Sequence, residues 1–275
     1  MPLIECSGLT LHVEEGGDGA PLVLLHGFTG SGRSWWPVID ELSDRYRIIS
    51  VDLIGHGHSG DPASASRYAF HRALDNLRQV ALSLNIGNAT WLGYSLGGRV
   101  ALGLAVAYPD LVSALVLESA TPGIADVTER ARRRSDDDEL AARIERDGVA
   151  AFVARWERLP MWESQEALPA DVLACERGIR LANSARGLAN SLRGMGQGAQ
   201  PSLWDSLPDL QCPTLLIAGE RDAKFARIAG EMHDALPDAR VAIAPGAGHN
   251  VHLEAPAWFG ERVTRFIDAA VGTPA

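Results

Sequence analysis

Six short runs of apolar and β-branched residues recur along the chain: 22–25 (LVLL), 47–51 (RIISV), 90–93 (TWLG), 114–117 (ALVL), 214–218 (TLLIA) and 240–244 (RVAIA). Runs this short and this continuously apolar read as strands buried on both faces. Helical patterns lie between them. Leu74, Leu77, Ala81 and Leu84, for example, recur at three- and four-residue spacing in a helix expected to end near Gly87. Strands alternating with helices imply a mostly parallel central sheet with helices on both faces. Ahead of them, residues 3–7 and 10–14 read as a short hairpin joined through Gly8.

The alternation breaks once. From 121 to 207 no run reads as a strand. Asp136 with Glu139 forms a capping box expected to open a helix through about Asp147, with Gly148 as its stop. A second helix is expected from Val149 to Arg158, ended by Pro160. The expected organisation is a core domain, 1–120 and 208–275, carrying an all-helical lid, 121–207, inserted after the sixth strand. Its place is above the carboxyl edge of the sheet, where open α/β folds bind ligands.

At 275 residues the chain can bury one large core with such an insertion. A net charge of −10 opposes nucleic acid and anionic membranes as partners but leaves room for a small anion held by a local arginine cluster. No apolar run approaches the ~18 residues that span a bilayer, and MPLIECSGLT has no basic segment followed by an apolar one. The expectation is a cytoplasmic protein, a monomer or small homo-oligomer. Cys6, Cys175 and Cys212 are odd in number and widely spaced, which points to neither a disulfide framework nor a zinc site.

Gly93-Tyr94-Ser95-Leu96-Gly97 places G-x-S-x-G between a strand and a helix. Such a turn lifts a serine hydroxyl above the sheet, and the helix N-terminus supplies N–H donors beside it. A serine nucleophile or base needs a histidine, and the histidine needs a carboxylate. Asp222 follows one late strand and His249 the last, with Glu220 and His252 as rivals for the two roles. His26-Gly27-Phe28 suits an oxyanion hole formed by the N–H groups of Phe28 and Leu96, with His26 itself a structural turn residue. The Gly55–Gly60 stretch, with His56 and His58, reads as a tight surface turn rather than a metal site, and Gly194–Gly198 as a flexible hinge of the lid. Arg99 lies one helical turn past Ser95, where a permanent charge suits a carboxylate substrate. For most of the arginines between 132 and 180 a solvated helix face is the plainer explanation.

The segments LLHGFTGS, DLIGHGHS, GYSLGGRVAL, LVLESATPG, RRRSDDDELA, ARWERLPMWESQ, RLANSARGLANSLRGMG, GERDAKF and AGHNVHLEAP together resemble the bacterial 2-succinyl-6-hydroxy-2,4-cyclohexadiene-1-carboxylate (SHCHC) synthases of menaquinone biosynthesis. The resemblance runs from about 22 to 265, and Gln197 stands where the family has threonine. It implies the α/β-hydrolase fold and a lyase that eliminates pyruvate from 2-succinyl-5-enolpyruvyl-6-hydroxy-3-cyclohexene-1-carboxylate, a small tricarboxylate, without metal or organic cofactor. It further implies Ser95, Asp222 and His249 as the catalytic set and Tyr94, Arg99, Arg132, Trp156 and Arg180 as substrate contacts. Lys224 is expected to support the acid loop or touch substrate. The other expectations open to the residues are an esterase, thioesterase or carbon–carbon hydrolase, and a ligand receptor without turnover.

Overall fold

In a computed structural model, which describes residues 3–6 and 8–272, eight strands form one sheet. They are β1 (Leu3–Glu5), β2 (Thr10–Gly16), β3 (Ala20–Leu25), β4 (Tyr46–Val51), β5 (Ala89–Tyr94), β6 (Val112–Glu118), β7 (Thr214–Gly219) and β8 (Ala239–Ala244). Their order across the sheet is β1-β2-β4-β3-β5-β6-β7-β8. β1 with β2 and β2 with β4 pair antiparallel; every later pairing is parallel. The expected hairpin is therefore present as β1 and β2, while Ser7, assigned to its first arm, lies outside the described residues.

The strand sequences explain the layering. Successive side chains of a strand point to opposite faces, so Val23 and Leu25 of β3 join one core cluster while Leu22 and Leu24 join the other. Leu115 and Leu117 of β6 divide from Ala114 and Val116 in the same way. The α-helices of the described chain are α1 (Ile39–Ser43), α2 (Phe70–Ser83), α3 (Leu96–Ala107), α4 (Val127–Trp156), α5 (Ala170–Leu181), α6 (Ala185–Met195), α7 (Ala223–Ala235), α8 (Val251–Glu254) and α9 (Pro256–Val271). α2, α3 and α7 cover the first face through Leu77, Val100 and Met232, and α1 and α9 cover the second through Leu42, Phe259 and Phe266.

Four local expectations need correction. β8 is an edge strand with Val241 and Ile243 each more than a third exposed, because only β7 flanks it; the run RVAIA carries no mark of that missing neighbour. α2 stops at Ser83 rather than near Gly87. Asn85 takes the left-handed conformation at φ 52°, with Ile86 N–H returning to Ala81 O at 2.8 Å and Asn85 N–H to Leu82 O at 3.2 Å, a closure that asparagine supplies as glycine would.

The first helix after β6 begins at Val127, not at Asp136. The same acid-x-x-Glu pattern occurs earlier as Asp126 and Glu129, and Asp126 Oδ1 accepts the Glu129 N–H at 2.7 Å, leaving Asp136 exposed in mid-helix. At Gly148 the backbone does leave helical geometry, at φ 79°. Last, Gly194–Gly198 is a packed contact rather than a hinge: a Cβ on Gly198 would lie 2.2 Å from the Arg134 backbone nitrogen, and its N–H donates to buried Asp137 at 3.1 Å.

Between β6 and β7 the described chain is helix, turn and loop. α4 and α6 share a separate apolar cluster built on Ala141, Ile144, Phe152 and Leu188, against which Phe28 of the loop after β3 packs. This contact brings the insertion over the carboxyl edge of β3 and β5.

Candidate active site

Parallel strands carry their carboxyl ends to one edge, so the residues after β5, β7 and β8 meet there. Ser95, the first residue after β5, is held at φ 49° and ψ −104°, a conformation costly for a residue with a Cβ. Its N–H donates to Glu118 O at 2.8 Å, and the turn closes because Gly97 lets the start of α3 approach the Leu25 carbonyl, which a Cβ there would meet at 2.0 Å. As the first residue of α3, Leu96 has an N–H with no carbonyl partner within its own helix.

His249 Nε2 lies 3.1 Å from Ser95 Oγ, and His249 Nδ1 lies 2.6 Å from Asp222 Oδ2. Asp222 also caps α7, its Oδ1 accepting the Phe225 N–H at 3.2 Å. The His249 ring is buried among Phe225, Tyr94 and Trp162, with centroids 4.7, 5.5 and 5.8 Å away. The two rivals are engaged elsewhere. Glu220 accepts the Gly246 N–H at 2.8 Å, and His252 Nδ1 donates to buried Glu118 at 2.7 Å.

A cavity of about 350 Å³ opens on Ser95 and His249. Of the residues expected at the site, Phe28, Tyr94, Leu96, Arg99, Trp156, Asp222 and Lys224 also line it. Arg99 is buried, and its Nη1 donates to Met195 O at 2.8 Å and Gln200 Oε1 at 2.7 Å. It forms no ion pair among the described residues. Burial first, and neighbouring Arg133 second, push its guanidinium down to about 10 against the pull of Asp137. Burial, then Glu118, raises the Tyr94 hydroxyl well above its ordinary value, so it stays a neutral donor.

Two of the expected arginines are not brought to the cavity. Arg132 is exposed and lines an adjoining groove, while the next residue, Arg133, lines the cavity itself and bonds Asp137 at 2.8 Å and Gln197 at 3.3 Å. One residue turns the side chain by about 100° on a helix, so the choice between the two follows from how α4 sits; the Arg133–Asp137 spacing of four was the available signal. Arg180 is buried behind Trp162, its guanidinium 5.2 Å from that ring and 3.2 Å from Glu157 Oε1. Trp162 and Ser191, which sequence reasoning passed over, line the cavity.

His26 and His56, in the loops after β3 and β4, do not line the cavity. His26 is buried, with Nδ1 donating to Gly27 O at 2.7 Å and Nε2 accepting the Leu53 N–H at 3.0 Å; burial holds its pKa below the ordinary value. His56 is buried as well, in correction of the surface turn expected there, and burial pushes it down to about 3. Among the described residues no group of three or more His, Cys, Asp or Glu side chains is arranged to hold a metal.

The family model described as alpha/beta hydrolase fold matches residues 20–256. A Bacillus subtilis (strain 168) protein that bears the name 2-succinyl-6-hydroxy-2,4-cyclohexadiene-1-carboxylate synthase provisionally is 46% identical over 246 residues, covering 90% of this chain and 89% of that protein. The synthase of the same name from Salmonella schwarzengrund (strain CVM19633) is 35% identical over 252 residues, 90% of this chain and 95% of its own. Among solved structures, MenH from S. aureus superposes with a TM-score of 0.90 at 33% identity, covering 95% of this chain and 98% of that one. A malate-bound esterase from Thermogutta terrifontis superposes at 0.87 with 26% identity, covering 98% and 97%.

Proposed function

The chain belongs to the SHCHC synthase family of α/β hydrolases, and from that membership we propose how its own residues carry out the lyase reaction. The reaction eliminates pyruvate from 2-succinyl-5-enolpyruvyl-6-hydroxy-3-cyclohexene-1-carboxylate, in the cytoplasm, on the route to menaquinone. Ser95 is the base toward carbon. His249 Nε2 receives the Ser95 hydroxyl proton as Oγ takes the C2 proton, and Asp222 holds the ring in the tautomer that allows it. The C2 electron pair forms C2=C3, the old double bond moves to C4=C5, and the C5–O bond breaks. Pyruvate leaves as its enolate, regains a proton and ketonises.

Charge that builds on the succinyl carbonyl meets the N–H groups of Phe28 and Leu96, both at the cavity wall. Tyr94, kept neutral, is a further donor beside Ser95. The helical insertion serves as the lid, with Trp156 packing on substrate. Arg180 and Arg132 act at a distance, the first by fixing Trp162 and the second at the approach to the cavity.

One observation carries the reading beyond fold resemblance: Arg99, a buried guanidinium without a carboxylate partner, shares one cavity with the assembled Ser95, His249 and Asp222. Ester hydrolysis has no need of that charge. A trianionic substrate does, since it must enter a chain of net charge −10, and Arg133 and Lys224 at the same wall add to the local positive field. The test supplies the enolpyruvyl intermediate and follows pyruvate together with the conjugated diene. Both are expected to appear in equal amounts with wild type and neither with Ser95→Ala. An acyl-enzyme trapped on Ser95 during turnover would overturn the proton-abstraction role in favour of acyl transfer.

A further inference from the structure

We infer that Glu254 is a positioning residue for His249, acting through the two backbone N–H groups that bracket it in the chain; the inference rests on the triad proposed above. Glu254 ends α8 and its carboxylate turns back toward the loop after β8. Oε2 accepts the Gly248 N–H at 2.6 Å and Oε1 accepts the Asn250 N–H at 3.3 Å. The loop answers in kind: Asn250 Oδ1 accepts the Leu253 N–H at 3.3 Å, and Asn250 O accepts the Glu254 N–H at 3.0 Å.

The consequence is mechanical. Asp222 grips the His249 ring at Nδ1, but a grip at the ring leaves the Cα free to shift and swing Nε2 off Ser95. With the Ala247–Gly248 and His249–Asn250 peptides tied to one carboxylate, the short stretch of backbone that carries the His249 Cα is held at both ends, and its torsions lose freedom. Charge-assisted bonds to a carboxylate are the stronger kind. Ser164 of the 3-10 helix Pro160–Ala167 closes on the same point, for a Cβ at Gly248 would lie 2.0 Å from Ser164 Oγ and 3.2 Å from Glu254 Oε2. Gly248 is thus packed closely against both the helical insertion and Glu254. Glu220 offers the contrast: it anchors the same loop at Gly246, upstream of His249, and brackets nothing.

A helix cap and a positioning clasp share these bonds, and reactivity separates them. Glu254→Gln, Glu254→Asp and Glu220→Gln are compared with wild type by thermal melting, by kcat and KM for pyruvate release, and by the rate at which a fluorophosphonate labels Ser95, which needs the Ser95–His249 geometry but no substrate. In Glu254→Gln one N–H must face an NH2 group. Its labelling rate and kcat are expected to fall together by roughly tenfold or more, with KM within about twofold, and Glu254→Asp is expected to regain part of both. Glu220→Gln is expected to lower the melting temperature while keeping both rates within about twofold. Wild-type labelling in both Glu254 variants, or an equal loss in Glu220→Gln, overturns the clasp. If Glu254→Gln does not fold, the Glu254→Asp and Glu220→Gln pair decides by the same criterion. A wild type that releases pyruvate yet is not labelled overturns the triad itself, and the clasp with it.

Discussion

Replacing Arg99 with alanine puts the role of charge to its most direct test. A guanidinium carries five N–H donors. Those on Nη1 go to Met195 O and Gln200 Oε1, which fixes the plane of the group and leaves the Nε and Nη2 edge for a carboxylate held bidentately. A charge-assisted bond is worth about 1.5–3 kcal/mol. The two bonds of one fork are not additive, so about 2–3 kcal/mol is the expected loss for the pair, or roughly 30- to 150-fold in kcat/KM at about 1.4 kcal/mol per decade. If the carboxylate is held equally in ground and transition states, the loss falls on KM. Arg99→Lys keeps a point charge without the fork and should recover only part.

The same residue gives a pH signature whose sign is fixed by burial. Its folded pKa of about 10 lies below the ordinary guanidinium value, so the folded state binds fewer protons between the two. The stability penalty of the buried charge is fully present below about pH 10 and is relieved as pH rises through that window. Substrate affinity runs the opposite way: KM should climb as pH passes 10 and the charge is lost, and that limb should be absent from Arg99→Ala. Steady-state pyruvate release across pH, with melting curves to certify the fold, measures both. A kcat/KM within about threefold of wild type in a folded Arg99→Ala would remove Arg99 from substrate binding.

Further expectations follow from the triad and the thiols. Asp222→Asn keeps an oxygen for the Phe225 N–H but presents the wrong group to His249 Nδ1, so kcat should drop about 10⁴-fold with little change in melting temperature; a drop under about tenfold would mean that Asp222 only caps α7. Ser95→Gly relieves backbone strain of roughly 1–3 kcal/mol against roughly 0.5–1 kcal/mol for the freer unfolded glycine, so the inactive variant should be stabilised by about 1 kcal/mol in urea unfolding. A lower midpoint would show Ser95 to be unstrained. Burial pushes the thiols of Cys6 and Cys212 up to about 11 while Cys175 is exposed, so a disulfide reagent at about pH 8 should find one fast thiol, lost in Cys175→Ser.

How far the sequence carries depends on the range of the physics involved. The strands were legible because a strand buried on both faces must be almost continuously apolar, a condition visible in LVLL without any knowledge of neighbours. Lateral position was not legible: RVAIA at the edge reads like ALVL in the middle, and only the pairing decides that Val241 and Ile243 meet solvent. Ends of elements fall between. Gly87 was a fair stop signal, but Asn85 reaches the left-handed conformation first, and Asp126 offers the same cap as Asp136 nearer the strand.

The site divides along the same line. Ser95, Asp222 and His249 sit in the turns and loops that follow parallel strands, so topology alone sends them to one edge, and the sequence needed only to say which loop residue had the right chemistry. The residues of the insertion have no such constraint. Their facing is set by how α4, α5 and α6 pack, and that packing turns on contacts such as Phe28 against Phe152 that no local pattern announces. Hence Arg99, fixed one turn past Ser95 on a core helix, could be placed from spacing alone, whereas Arg132 and Arg180 could not. Spacing locates a side chain only as far as the rigid element that carries it, and the charge around a substrate held beneath an insertion must be read from the packing of the insertion.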